Sequence, residues 1–216
     1  MLVIVVDTAT PAVTAALAEL RRDSVEILAC RVSVDARAHG ELLAPGLHAV
    51  LREADVKPAE LSAVVAGLGP GPFTGLRVGL VSAAALGHSL DIPTYGVCSL
   101  DAIGWRQPGT VLAVTDARRK ELYWAVYRDG RRVGEPAVAK PADLPLDGVD
   151  AVVGDGAHHY DLGLPVRDQP RYPLPEALAD LAADRIRAGA PAEPLTPLYL
   201  RRPDATMPGQ RKTVLT

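Results

Sequence analysis

The sequence is poor in aromatic residues, in cysteine and in long apolar runs, and each scarcity removes a class of function. Aromatic side chains make up 4% of 216 residues, with a single phenylalanine, so alanine, valine and leucine must fill the interior. Cysteine occurs only at Cys30 and Cys98. Two isolated cysteines supply neither a disulfide framework nor a metal knuckle, and they point to a reducing compartment, the cytoplasm. No apolar run approaches the ~18 residues that a membrane span requires. The opening MLVIVVDTA has no basic stretch and reaches Asp7 early, so it reads as a strand and not as a secretory leader. The net charge of −3 gives no general attraction for nucleic acid. The short runs Arg118-Arg119-Lys120 and Arg131-Arg132 read as solvated turns that could touch RNA only within a complex.

Familiar catalytic patterns are missing too. No H-x-x-x-H, H-E-x-x-H or G-x-S-x-G occurs. His39 and His48 are nine residues apart, half a turn out of phase on a helix, so they cannot share a metal. His158 and His159 are neighbours and diverge if helical. No metal site and no cofactor site is expected.

What is present is an alternation of apolar runs. Residues 2–8, 13–20 and 25–34 read as three strands, with a hairpin turn at RRDS. Residues 39–54 carry Leu43, Leu47, Val50, Leu51 and Ala54 at helical spacing, with Pro45 expected to start or kink the helix. Strands follow at 62–68 and 93–97, with a helix from about 73 to 89 between them and a short one near 99–105. The pattern then partly repeats. TVLAVTD at 110–116 ends in Asp116 as LVIVVD ends in Asp7. ELYWAVYR at 121–128 alternates into the hairpin signal Asp129-Gly130. A later strand is expected at 149–153 and a proline-started helix at 175–188. VVDTA (5–9) and VTDAR (113–117) lie 108 residues apart, half the chain. This suggests an α/β protein of two related lobes, 1–105 and 106–200, followed by a loose tail at 201–216.

Asp7 and Asp116 close buried strands, where carboxylates hold magnesium or position water in many α/β enzymes, and where they also serve as turn caps. Between them lies GLGPGPFTGLRVGL, residues 67–80. The spacing does not fit a Walker A loop or a dinucleotide fingerprint, and lysine is missing from 58 to 119. Pro70 and Pro72 also lack the N–H groups that cradle phosphate. The helix behind this loop carries Gly75, Gly79, Ala83 and Gly87 at every fourth position. Glycine costs up to about 1 kcal/mol in a helix interior, so the stripe needs a compensating contact. That contact is either the chain's own sheet or the backbone of a partner helix.

DTAT (7–10), AVVAGLGPGPFTGLRVGL (63–80), GVCSLDAI (96–103), DARRKELY (116–123) and PLYLR (197–201) together resemble the bacterial TsaB family, with Pro72 where many relatives have serine. The resemblance covers nearly the whole chain and is densest over 1–125. It implies two lobes of the actin-like, sugar-kinase-like (ribonuclease H-like) architecture. It also implies a heterodimer with a TsaD-like catalytic subunit, and action with a TsaE-like ATPase in threonylcarbamoylation of the adenosine next to the anticodon. That reaction concerns tRNAs reading codons that begin with A, and tRNA is met only through the complex. The stretch Asp7, Thr8, Ala9, Thr10 replaces a glycine-bearing phosphate loop, which implies a lost nucleotide site and a non-catalytic role. The helices at 39–54 and 73–89 are implied to form the subunit interface, through Leu43, Leu47, Val50, Gly75, Leu76, Gly79, Ala83 and Gly87, with monomer and homodimer both open for the isolated chain. A small-molecule kinase of the same fold and a metallopeptidase-like enzyme are the alternatives.

Overall fold

The computed structural model describes residues 1–201. The expected tail lies outside them except for Arg201. The chain opens with an antiparallel meander, β1 (Leu2–Asp7), β2 (Ala12–Leu20) and β3 (Val25–Val34). Helix α1 (His39–Glu53) follows, with Pro45 inside it, and the sheet is completed by β4 (Leu61–Gly67) and β5 (Thr94–Val97). Helix α2 (Phe73–Leu90) links these last two strands. The strand order is β3-β2-β1-β4-β5, with β4 and β5 parallel to β1. α3 (Ser99–Gly104) leads to a second sheet built from β6 (Thr110–Asp116), β7 (Leu122–Arg128), β8 (Arg131–Ala139), β9 (Ala151–Val153) and β10 (Val166–Arg167). Its order is β8-β7-β6-β9-β10, the same pattern of three antiparallel and two parallel strands. Asp7 and Asp116 therefore occupy equivalent ends of equivalent strands, and the half-chain repeat is a repeat of architecture.

β1 is apolar from Leu2 to Val6 because both of its faces are covered. Ile4 and Val6 face α1 and α2 through Leu43, Val50, Leu76 and Leu80, while Val3 and Val5 face the other side. That second side is covered by α4 (Pro175–Arg187), which presents Ala177, Leu178, Ala179, Ala182, Ala183 and Ile186. The first sheet ends with β5 and the second begins with β6, with α3 between them. α4 lies in the later span and packs on the first sheet, because Val3, Val5, Ala16 and Ala18 need a cover and small residues allow a close one. Residues 190–201 carry no regular helix or strand and run between the lobes. The Glu193 N–H donates to the Thr94 carbonyl, Leu198 N–H donates to Leu68, and Arg201 donates to the Ala117 carbonyl and pairs with Glu121.

Candidate functional site

The two lobes meet over the C-terminal ends of β1 and β6. There Thr8, Thr10, Arg37, His39, Phe73, Thr74, Asp116 and Arg118 line a cleft of about 240 Å³. Asp7 does not reach it. The Asp7 side chain is buried, accepting the Ala9 N–H at 2.9 Å and the Ser99 hydroxyl, whose oxygen in turn accepts the Gly69 N–H at 3.1 Å. Burial pushes the Asp7 carboxyl up to about 6, against the lowering effect of those hydrogen bonds and of His39. Asp116 faces the cleft, accepting the Arg118 N–H at 3.0 Å. The two strand-end carboxylates thus do not converge on one point of the cleft.

The glycines of 67–80 make room for this arrangement. A Cβ at Gly67 would collide with the Asp7 carboxylate, and one at Gly71 with the Ala9 carbonyl. Gly69 is left-handed at φ +88°, which glycine adopts without penalty. The loop folds onto the turn after β1.

α2 continues that logic. The Thr8 hydroxyl donates to the Gly75 carbonyl at 2.7 Å and accepts the Gly79 N–H at 2.9 Å. A Cβ at Gly79 would stand 2.5 Å from that hydroxyl, and one at Gly87 2.6 Å from the Thr94 methyl. A Cβ at Gly75 would press on the His39 ring, which is itself held by the Thr10 carbonyl. Leu43, Val50, Leu76 and Ala83 are fully buried against the first sheet, and Leu47 is half-buried. The small-residue stripe therefore packs on the chain's own β1 turn and β5, and of the eight residues expected at a partner only Leu47 keeps surface. The reason is that α1 and α2 must turn their apolar stripes inward to close the first lobe.

The outward face of α2 carries the residues the sequence reading missed. Phe73, Arg77 and Val81 are four apart and offset by two from the glycine stripe, hence about 200° around the helix from it. Phe73 is 56% and Val81 61% exposed. Arg77 lies over the Phe73 ring, Phe73 stacks on Tyr199 at 5.3 Å, and Val81 shares a groove with Leu80, Ala84, Leu195 and Pro197. The signal was present as Phe73, the chain's only phenylalanine, at the start of a helix whose opposite face is glycine.

Two further clusters of titratable groups are internal to the fold. Asp155 is buried and accepts hydrogen bonds from Arg171, His159 and Tyr172. Asp101 accepts from Tyr127 and Arg132. Burial beside Asp101 pushes the Cys98 thiol up to about 12, which leaves it unreactive. Among the described residues no three His, Cys, Asp or Glu side chains gather as a metal site, and no helix is long and apolar enough to cross a membrane.

Residues 26–162 match the family model described as TsaD, tRNA N6-adenosine threonylcarbamoyltransferase. The Escherichia coli tRNA threonylcarbamoyladenosine biosynthesis protein TsaB is 31% identical, covering 93% of this chain and 95% of its own. The chain belongs to the TsaB family. An uncharacterized Mycobacterium tuberculosis protein is 54% identical over 94% of this chain and 93% of its own length. The solved YeaZ of Pseudomonas aeruginosa superposes with a TM-score of 0.76 at 28% identity, covering 92% of this chain and 99% of the other.

Proposed function

We propose that this chain is a non-catalytic subunit of tRNA threonylcarbamoyladenosine biosynthesis, which docks a TsaD-like catalytic subunit and acts with a TsaE-like ATPase in the cytoplasm. The observation that carries the reading is the outward face of α2. A soluble helix exposing Phe73 and Val81 beside the stacked Tyr199 presents the apolar centre with an aromatic and an arginine that protein interfaces favour. We place the docking surface there, on Phe73, Arg77, Val81 and Tyr199 with the half-buried Leu47 of α1, and not on the inward glycine stripe. Without the catalytic subunit the same face is open to a second copy of the chain.

The strand-end chemistry supports the non-catalytic part. Asp7 is held by Ser99 and Ala9, and the Thr8 hydroxyl is engaged by α2, so neither group is free to act in the cleft. The test is reconstitution of tRNA threonylcarbamoylation from its own organism's TsaD-like and TsaE-like proteins. Omitting this chain is expected to abolish modification, and the chain alone is expected to turn over neither ATP nor tRNA. Full modification without it, or ATP turnover by it alone at about 1 per second, would contradict the reading.

A further inference from the structure

The hairpin between β6 and β7 is closed by the Ala117 N–H donating to the Glu121 carbonyl and by the Glu121 N–H donating to the Arg118 carbonyl, both at 3.0 Å. Between them Arg118, Arg119 and Lys120 adopt φ of +63°, +54° and +61°. Three consecutive left-handed residues with side chains are unfavourable, and glycine would relieve each. All three positions instead hold long cations, and all three are exposed. Backbone cost kept in place at a loop tip points to use of the side chains it displays. Successive left-handed residues fan their side chains in different directions, which suits an extended polyanion better than a single small ion.

The loop is also held in position. Arg201 donates to the Ala117 carbonyl at 2.8 Å and pairs with Glu121, so the strap between the lobes fixes its base. Arg118 lines the cleft with Arg37 from the other lobe and with Phe73 and Thr74 at the start of α2. Its guanidinium stands 3.6 Å from Asp116 but is 60% exposed, a weak pairing that a phosphate can replace. The cations therefore border the face assigned above to the catalytic subunit. We propose that Arg118, Arg119 and Lys120 contact the phosphate backbone of the tRNA held by that subunit. This rests on the function proposed above, and it gives a chain with no overall attraction for RNA a local one that matters only in the complex.

The probe is a tRNA transcript whose anticodon reads A-starting codons, titrated against the complex of the full chain with its TsaD-like subunit at several salt concentrations. Replacing Arg118, Arg119 and Lys120 by glycine together removes the charge while easing the backbone, so the fold is not at risk. The expected result is roughly tenfold or greater loss of tRNA affinity at low salt, with the log–log salt slope reduced by about 2, near 0.7–0.9 per lost phosphate contact. Arg118→Lys with Arg119→Lys should retain most of the slope. A glycine variant that binds tRNA with unchanged affinity and slope overturns the loop assignment and leaves the function standing. So does a variant that loses the TsaD-like or TsaE-like protein while its tRNA binding is unchanged, because the loop then faces an acidic protein. A wild-type complex that neither binds nor modifies the transcript overturns both.

Discussion

The hydroxyl of Thr8 lies against the turn of α2 between Gly75 and Gly79, donating to the carbonyl of the first and accepting from the amide of the second. This one relationship makes the glycine stripe internal. Thr8→Val keeps the shape and removes both hydrogen bonds, at an expected cost of about 1–3 kcal/mol. Gly79→Leu drives a side chain into the same spot, and overpacking of about 1–3 kcal/mol outweighs the gain in helix propensity. Thermal unfolding should show a fall of about 2–4 °C per kcal/mol for each variant. An undisturbed Gly79→Leu melting temperature would mean that the stripe is not packed against the β1 turn.

Asp7 gives the stability a particular pH slope. Its folded value of about 6 exceeds its ordinary 3.8 because burial disfavours the charge. The folded state therefore binds more protons than the unfolded state between those values, and stability falls as pH rises through this window. The full difference is roughly 3 kcal/mol and is complete above pH 6. Chemical denaturation from pH 4 to 7 on wild type and Asp7→Asn should show that slope in the first and a flatter profile in the second. Parallel profiles would remove Asp7 as the source.

Asp155 acts with the opposite sign. Burial opposes its ionisation, but hydrogen bonds from Arg171 and His159 outweigh burial and hold its carboxyl below the ordinary range. Its contribution is present above the ordinary 3.8 and is lost as pH falls through the lowered folded value. Asp155→Asn should destabilise the protein at pH 7, with the difference from wild type shrinking as the solution is made strongly acidic. A difference that does not change with pH would show that the carboxylate charge is not what ties Arg171 to this corner.

The strands and helices were largely legible because their periods are strong. β1, β4 and β6 are apolar runs with both faces covered, and α1, α2 and α4 carry clear inward stripes. The repeat of Asp7 and Asp116 also foretold equivalent strand ends in the two sheets. Which lobe α4 joins was not legible, since an alanine-rich stripe does not say which sheet it covers. Nor did every-fourth-residue spacing reveal whether Gly75 and Gly79 meet a foreign helix or Thr8, because both require the same missing Cβ. The three left-handed cations at 118–120 were visible as a basic run, but their backbone state was not.

We place the catalytic subunit on the outward face of α2. Val81 is 61% exposed, so Val81→Asp should leave stability within about 0.5 kcal/mol of wild type. Burying an unpaired carboxylate at an apolar contact should weaken association with the TsaD-like subunit tenfold or more, at least 1.4 kcal/mol. The decisive measurement is a titration of that subunit with wild type and Val81→Asp, alongside their melting curves. Equal melting with at least tenfold weaker binding is the expected result, and equal melting with equal binding would contradict the account.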